Sequence, residues 1–385
     1  MDLVDFAQAQ ALRSAIELQP IDGPGGRIFP PTYPPASGAA DKAARHVVET
    51  LPSGERRVLV DSVASQANRQ EAALVAARAA GLITLADVYV DLSQTDAGIE
   101  RLSATEMPHR LSDAILRDSE IDGVPFGKSD LGRKLLATTL ADLTPILEAS
   151  PTAVLFGCWF SQHGQAQPLK IQRCITSEIW ADNAVLGQAV GSRIDPLGIE
   201  KLQLYEAKDG EWTALEAKAV QSNGKPKPFA KKRPSEINHG NIAPTIRQQG
   251  ISAERITLRW AMPLAAIRRL RFGGGERDTA GRAYVAALGV LARVLDHQAG
   301  YSLRSRCDLL GSGPLAVDII DADGGIRSET VTTRAAIDLL RQAEDGMRRA
   351  GIALHGEVVA KPGTKLIDMI KANKLRQELG KELPE

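Results

Sequence analysis

Thirty consecutive residues, from Gln221 to Gly250, show neither helical nor strand periodicity. They include four prolines, and proline interrupts both helices and central strands. A long irregular segment inside a compact protein is usually functional or disordered. We therefore expect a core that is interrupted by a large excursion, and not a regular repeat of strands and helices.

Strand-like and helix-like segments are interleaved along the rest of the chain. Apolar patterning predicts strands at Val58–Val60, Leu82–Val90, Thr152–Phe160, Lys170–Ile179, Ile256–Trp260, Leu303–Leu309 and Leu315–Ile320. Periodicity and stop signals predict helices at Ser62–Ala80, Pro108–Arg117, Leu135–Ala149 with a kink at Pro145, Leu264–Arg271, Thr279–His297, Thr332–Gly351 and Lys365–Leu379. Ile199–Ala207 and Glu211–Glu216 form a predicted hairpin, and the proline-rich Pro20–Gly38 a loop or arm. Antiparallel pairs and long insertions favour an α+β fold over a doubly wound one.

Composition excludes several classes of protein. The 385 residues are 43% hydrophobic and 24% charged, as in ordinary soluble proteins, and no apolar run reaches the ~18 residues of a membrane span. The acidic start, Met1–Phe6, lacks the basic region of a secretory signal. Three widely separated cysteines match neither a disulfide framework nor a metal site. These features predict a cytoplasmic protein with no membrane partner.

The formal net charge is zero, with 47 basic and 47 acidic residues, but the two signs are segregated. From Lys201 to Arg306 there are 19 basic against 9 acidic residues. Positive charge concentrated in this way can attract a phosphate backbone to one surface. Side chains scattered around the molecule would give the same count, so both interpretations stay open. A role in binding a phosphate backbone requires the first, a continuous positive track.

No familiar enzyme motif is present. The sequence contains no nucleotide-binding glycine motif, no G-x-S-x-G and no H-E-x-x-H, and its six histidines never fall at metal-ligand spacing. We therefore predict no cofactor and no metal.

Four groups of residues suit a polyanion. The first, at the predicted start of the helix after Val58–Val60, offers amide and guanidinium donors beside the positive end of a helix dipole: Ser65, Gln66, Asn68 and Arg69. The second lies on the predicted strand Lys170–Ile179, where basic and hydroxyl side chains can face RNA: Lys170, Arg173 and Ser177, with Arg193 in a turn-rich stretch nearby. For Asp195 a structural role is favoured.

The third group is the strongest. Lys225–Pro234 holds five basic residues, one phenylalanine and no acid, a combination that can follow phosphates and stack on a base. Its predicted contacts are Lys231, Lys232 and Arg233, followed by Asn238, His239 and Asn241. The fourth group is secondary and comprises Arg268 and Arg269, with Arg271, Arg304 and Arg306. For every group the alternative is an ordinary solvated or ion-paired surface.

Five motifs occur in order along the chain and together point to a family. They are Arg27–Tyr33 (RIFPPTY), Val58–Arg69 (VLVDSVASQANR), Pro108–Arg110 with Asp113–Ser119, Ser192–Gly198 (SRIDPLG) and Pro234–Ile242 (PSEINHGNI). In this order the chain resembles the backbone protein of type I-G CRISPR systems, formerly subtype I-U, a GSU-type member of the RAMP superfamily. The resemblance spans about residues 27–318.

The resemblance implies a right-hand architecture, with a palm built on an RNA-recognition or ferredoxin-like sheet and with finger and thumb insertions. Its palm would occupy residues 40–205 and 251–350, a basic thumb-like loop residues 221–250, and a C-terminal helical tail residues 351–385. It implies a non-catalytic subunit that binds crRNA and polymerises along it within Cascade. The implied partners are the guide RNA, target DNA through base pairing, further copies of the chain, the large subunit and a fused Cas-five/Cas-six type subunit. The sequence lacks an evident aromatic pair for base stacking on the palm, so backbone contact is the expectation.

Two alternatives remain. A ribonuclease of the same superfamily would use His109 or His239 as a base, or Asp61 or Asp118 as an acid, although no compact constellation of such residues is evident. A small-molecule enzyme with an unfamiliar site is the other.

Overall fold

A computed structural model describes residues 2–35, 45–161, 168–193, 195–199, 201–237, 239 and 242–378. The helices in these ranges are α1 Leu3–Gln8, α2 Val63–Ala79, α3 Ala114–Arg117, α4 Asp130–Leu136, α5 Thr144–Ala149, α6 Pro151–Leu155, α7 Leu264–Arg268, α8 Gly275–Ala299, α9 Thr333–Arg349 and α10 Thr364–Glu378. Short 3-10 turns occupy Ala104–Glu106, Arg110–Ser112, Phe126–Lys128, Glu216–Lys218 and Pro234–Ile237.

The strands of the first half are β1 Ala11–Pro20, β2 Val48–Thr50, β3 Arg56–Asp61, β4 Asp87–Asp91, β5 Arg101–Ser103, β6 Ser119–Ile121, β7 Val124–Pro125, β8 Cys158–Phe160, β9 Leu169–Ile171, β10 Thr176–Asp182 and β11 Val185–Arg193. Those of the second half are β12 Tyr205–Glu206, β13 Trp212–Thr213, β14 Gln221–Ser222, β15 Lys225–Pro226, β16 Ile242–Ser252, β17 Arg255–Pro263, β18 Tyr301–Arg304, β19 Cys307–Gly311, β20 Ala316–Ile320, β21 Ile326–Thr330 and β22 Glu357–Pro362.

The chain folds into two units, each with its own set of strands. Unit 1 comprises residues 1–26, 30–184 and 253–385, and unit 2 comprises residues 27–29 and 185–252. In chain order, most of unit 2 is inserted between β10 and β17. The excursion expected from the irregular stretch is therefore present, although it begins earlier than Gln221.

A large antiparallel sheet organises unit 1. Its strands follow the order β18-β19-β1-β17-β10-β3-β2, and β20 pairs with β1 and β21. Inward and outward residues alternate along β1 and β17, so that Leu12 and Ile16 are buried opposite Met262 and Leu258. This face packs on helix α8, which is buried along most of its length between the sheet and α9. The α+β prediction, with a large antiparallel sheet, is confirmed.

A second sheet of unit 1 has the order β5-β4-β22-β6-β7. The late strand β22 runs parallel to β4, so the C-terminal segment completes a sheet that begins near residue 87. Strands β8 and β9 form a separate antiparallel pair.

Unit 2 is built on a ribbon of β11 and β16, which pair antiparallel with two irregularities in register. The small hairpins β12-β13 and β14-β15 lie between these strands in the chain, and isolated bridges join Tyr205 to Pro228 and Ala207 to Ala219. Its buried residues include Ile28, Leu204, Ala219 and Ile251.

Several predicted elements are wrong. Lys170–Ile179 is not one strand, since β9 ends at Ile171 and β10 begins at Thr176. Thr152–Phe160 is not a single strand, because Pro151 stands in the first turn of helix α6, where its missing N–H costs nothing, and only β8 is extended. Leu135–Ala149 is not one kinked helix, since Pro145 lies in the first turn of α5 after a break from α4. The stretch Gln221–Gly250 is not irregular throughout, because strand β16 begins in it at Ile242.

Among the described residues, no helix is both long and apolar enough to cross a membrane.

Candidate nucleic-acid interface

The segment Lys225–Arg233 of unit 2 is held by its backbone and exposes its cations. Leu204, which is buried, accepts a hydrogen bond from Phe229 N at 3.0 Å and donates its own N–H to Lys232 O at 2.9 Å. Lys227 N also donates to Val220 O at 2.8 Å. The segment is thus anchored at both ends, so less conformational entropy is lost when its side chains bind a ligand.

Lys231, Lys232 and Arg233 are all exposed. Within the described part of the chain no carboxylate lies within ion-pair distance of any of the three, whereas Lys227 Nζ lies 2.7 Å from Glu206 Oε2. Three adjacent cations without an internal partner attract a polyanion and release its counterions on binding. That this segment contacts RNA stays a prediction. The exposure and adjacency of its three cations suit such a contact.

The residues after the segment are arranged differently. Glu236 Oε2 accepts a hydrogen bond from Lys232 N at 3.1 Å, which closes the turn that leads into Pro234–Ile237. His239 packs edge-on against Trp212, with 5.8 Å between ring centroids. Asn238 and Asn241 lie outside the described residues. Arg193 ends β11, and its side chain also lies outside the described part.

The group at the start of α2 is mostly internal. Asp61 is fully buried and accepts hydrogen bonds from Gln66 Nε2 at 2.8 Å, Arg69 Nε at 3.0 Å and Arg304 Nη2 at 3.1 Å. Ser177 Oγ donates to Gln66 Oε1 at 3.1 Å. Gln66 and Ser177 are buried, so the expectation that they present donors at the surface is wrong. Their polar atoms satisfy one another in the interior instead.

Of the other residues in this group, Asn68 is exposed and Ser65 half-buried. Ser62, and not Ser65, caps the helix, because its hydroxyl accepts from Ser65 N at 3.3 Å. Arg69 is bound to Asp61 and also donates to Leu303 O at 2.8 Å. Only Asn68 therefore presents an unobstructed polar side chain to solvent.

Lys170 and Arg269 are brought together by the fold. Both are exposed, and both line a cavity of about 250 Å³ between the β9 strand, the Leu140–Leu143 turn and helix α7. Arg173, by contrast, points inward toward Phe156 O and Val63 O, each 3.4 Å away. Burial, together with the charge of Arg110, lowers the pKa of Arg173. Arg268 is half-buried and donates to Ala9 O at 2.8 Å.

The positive excess of the second half is smaller at the surface than in the sequence. Five of the ten arginines between residues 255 and 306 form ion pairs within unit 1: Arg255 with Asp182, Arg271 and Arg282 with Asp278, Arg293 with Asp296, and Arg304 with Asp61. Ion pairing therefore weakens a continuous positive track through this stretch of unit 1. Several arginines of the stretch stay exposed, and the Lys225–Arg233 segment of unit 2 holds three adjacent exposed cations.

Comparison with known proteins gives one family. Residues 12–185 match the model described as CRISPR-associated protein GSU0053 (Cas_GSU0053). Over this segment, which is less than half of the chain, the sequence is similar to that CRISPR-associated family. A solved structure described as a CRISPR RNA-guided surveillance complex, pre-nicking, is 13% identical with a TM-score of 0.32, covering 94% of this chain and 99% of that chain. A TM-score of 0.32 is too low to establish a shared fold. No curated protein matches the sequence.

The matched segment contains internal contacts that explain its recognisable motifs. Arg110, in Pro108–Arg110, has a positive φ of 51° and donates from Nη2 to Glu71 Oε2 at 2.8 Å. Asp113 caps α3 by accepting from Ile115 N at 2.9 Å. Asp61 in Val58–Arg69 is the buried carboxylate described above. These motif residues build the framework that supports the surface.

Sequence reasoning missed two groups of surface residues. Arg13 and Arg259 lie on the outward face of the large sheet, where no described residue of β1 or β17 is aromatic. Trp159 is 57% exposed, although the sequence predicts it within the apolar strand Thr152–Phe160. In β8 it stands between buried Cys158 and Phe160, and because all three residues are apolar, the sequence carries no alternation that would identify it.

Three of the residues proposed for ribonuclease chemistry have structural partners. Asp61 is buried and bound to three donors, Asp118 pairs with Arg117 at 3.1 Å, and His239 packs on Trp212. The three cysteines are buried, and burial raises the pKa of Cys158 and of Cys174 to about 12 and that of Cys307 to about 11. In the part of the chain that the structure describes, no three potential metal ligands form a cluster.

Proposed function

We propose that this chain is a non-catalytic crRNA-binding backbone subunit of a type I CRISPR surveillance complex, or Cascade, that polymerises along guide RNA and supports target DNA recognition. The similarity of residues 12–185 to a CRISPR-associated family supports the CRISPR role. The observation that carries RNA binding is the anchored segment Lys225–Arg233, with three exposed cations that no described carboxylate neutralises. Such a segment binds phosphates without reading sequence.

The order of elements in unit 1 supports an RNA-recognition or ferredoxin-like palm. Along the chain, β1, α2, β10, β17, α8 and β20 form a β-α-β-β-α-β series. In the sheet, β20, β1, β17 and β10 are antiparallel neighbours in that order. Further strands extend the sheet on both sides, as insertions into such a core do.

The right-hand architecture would place the thumb in unit 2. This unit interrupts the connection between the two middle strands of the series, and it carries the basic segment on a two-stranded ribbon. The outward face of the palm has Arg13 and Arg259 but no described aromatic residue on β1 or β17. Contact with the RNA backbone is therefore the better proposal for the palm than base stacking on its central strands.

Sequence specificity in this proposal comes from base pairing between guide and target, as in other RNA-guided effectors. The partners are guide RNA, target DNA, further copies of the chain and the other Cascade subunits, within the cytoplasm. No cofactor takes part. The buried state of Asp61 and the packing of His239 favour a non-catalytic role over the RAMP ribonuclease.

The experiment is to express the chain together with a CRISPR repeat–spacer transcript, purify it and analyse the nucleic acid that remains bound. We expect small RNA of uniform length in a multi-subunit particle. A monomer that carries no RNA, and that does not bind added RNA, would contradict the proposal. Labelled RNA incubated with the purified protein should stay intact, and defined cleavage that a His239→Ala variant loses would establish the ribonuclease instead.

A further inference from the structure

The β8-β9 pair of unit 1 presents an aromatic ring and a cation side by side on its outer face. Trp159 and Lys170 are direct cross-strand partners, and Lys170 Nζ lies 5.5 Å from the centroid of the indole ring. Trp159 is 57% exposed, while its neighbours Cys158 and Phe160 are buried. The strand is therefore fixed by its inward side chains, and the indole projects toward solvent with Lys170 Nζ over its ring.

Next to this pair lies a cavity that continues the same surface. Lys170 lines it together with Arg269 and Gln172, and its walls are the apolar Leu143, Ile171 and Leu270. Its volume of about 250 Å³ is below the ~300–1,000 Å³ of pockets for drug-sized ligands, so it suits a single planar group. Leu140, which is 61% exposed, stands at its rim.

The charges of this surface have one sign. None of the residues that line the cavity is acidic, and no described carboxylate forms an ion pair with Lys170 or Arg269. The surface combines a flat aromatic ring, an adjoining apolar cavity and two accessible cations. These features match a nucleotide, which has a planar base and a phosphate. An acidic peptide would satisfy the cations but would leave the exposed indole face without a planar partner.

We propose that Trp159, with Lys170 and Arg269, forms a stacking site for one unpaired base of single-stranded RNA. The indole stacks on the base, and the two cations bind the adjacent phosphates. The site rests on the proposed RNA-binding function, and it adds a base contact where the sheet itself offers only backbone contacts. Because every base has a π-face, the site tolerates any sequence.

The test measures the affinity of the purified chain for a short fluorescent single-stranded RNA. Trp159→Ala and Trp159→Leu should weaken binding roughly 5- to 150-fold, and Trp159→Phe should stay close to wild type, since it keeps a ring. None of the three changes charge, so the slope of log Kd against log salt should not move. Lys170→Ala should flatten that slope by about 0.7. Thermal melting should be the same for all, because Trp159 is exposed.

A second RNA, with abasic positions, isolates stacking from phosphate contact. Wild type and Trp159→Ala should bind the abasic RNA equally. If wild type binds normal RNA and Trp159→Ala binds it as tightly, the stacking site is wrong and the proposed function stands. If wild type binds no RNA, both fail. If Trp159→Ala reduces self-association of the protein alone and leaves RNA affinity unchanged, the surface is a protein interface and the proposal is overturned.

Discussion

At the scale of single residues, the buried carboxylate of Asp61 ties three elements together. It ends β3, accepts from Arg69 of α2, and accepts from Arg304 of β18, which also donates to Val60 O at 2.8 Å. A buried carboxylate is tolerable only when its charge and its lone pairs are satisfied. The motif Val58–Arg69 is thus mainly structural, and Asn68 is its one polar side chain that is classed as exposed.

Asp61→Asn should destabilise the protein by about 3 kcal/mol, because it leaves two largely buried guanidinium groups without a counterion. Chemical denaturation with urea measures the change. The matched control is Asp318→Asn, whose exposed partner Arg13 lies 3.1 Å away. That change should cost no more than about 1 kcal/mol. Equal losses in the free energy of unfolding would show that Asp61 stabilises the fold no more than the exposed Asp318 does.

His297 should make the stability of the fold depend on pH. Its Nδ1 lies 2.9 Å from Tyr301 Oη, and burial, helped by the charge of Arg293, lowers its pKa from the ordinary value of 6.5. The folded state therefore binds fewer protons at this ring than the unfolded chain. Its contribution to stability is present above pH 6.5 and is lost as the pH falls through the lower folded pKa.

The neighbouring Asp296 acts in the opposite direction. Burial raises its pKa to about 6, so it favours the fold as the pH falls below that value. Comparison of wild type with His297→Gln between pH 8 and 5.5 isolates the histidine. The stability of wild type relative to the variant should decrease toward the acidic end, with His109→Gln, an exposed histidine, as control. A difference that is constant with pH would exclude the titration of His297.

At the scale of elements, α8 is the helix on which unit 1 is assembled, and Gly281 sets how closely it approaches Phe272. A Cβ built at Gly281 would lie 2.4 Å from Phe272 Cδ2, with two more ring atoms at 2.8 Å. Phe272 is fully buried, and a β-bridge to Asp142 fixes its backbone, so the ring has little room to move.

Gly281→Ala should therefore destabilise the fold by about 1–3 kcal/mol through overpacking. Gly346→Ala in α9 is the matched control, because its nearest atom would be 3.9 Å away in a flexible arginine. That helix should become more stable by up to about 1 kcal/mol, since alanine favours helix over glycine. Thermal unfolding of both variants measures the contrast, and a stabilised Gly281→Ala would contradict this packing.

The same elements show what the sequence can and cannot predict. Helix α9 follows from buried residues spaced three and four apart, such as Ala336, Leu340 and Ala343, and β17 follows from strict alternation. The prediction fails in the α6 and β8 region because an unbroken apolar run fits either a buried strand or a buried helix. Strand β1 alternates as cleanly as β17, so the sequence carries a signal for it that the predicted strands omit.

The residues of the candidate site likewise include some that the sequence predicts correctly and some that it does not. Adjacent cations in an irregular stretch, such as Lys231–Arg233, are visible in a sequence, and the structure exposes them. The burial of Gln66 and Ser177 depends on Asp61 and on strand pairing between distant segments, which local patterns do not encode. The cavity that joins Lys170 to Arg269 likewise brings together residues about a hundred positions apart.

At the scale of the whole molecule, charge is divided between two uses. In unit 1, half of the arginines between residues 255 and 306 neutralise carboxylates and hold elements together. Unit 2 has eleven basic against seven acidic residues in its sequence, and its densest group of exposed cations is the Lys225–Arg233 segment. A net charge of zero thus conceals a locally basic surface.

The dependence of RNA affinity on salt decides whether that surface holds RNA. The joint change of Lys231, Lys232 and Arg233 to Ala should weaken binding to single-stranded RNA and flatten the slope of log Kd against log salt by about 2, because about three counterion releases are lost. The control removes three other exposed positive charges, Arg334, Arg341 and Arg348 of α9, which pair with acids on their own helix. It should leave the slope unchanged. Equal slopes for wild type and both triple variants would contradict a guide-holding role for the segment.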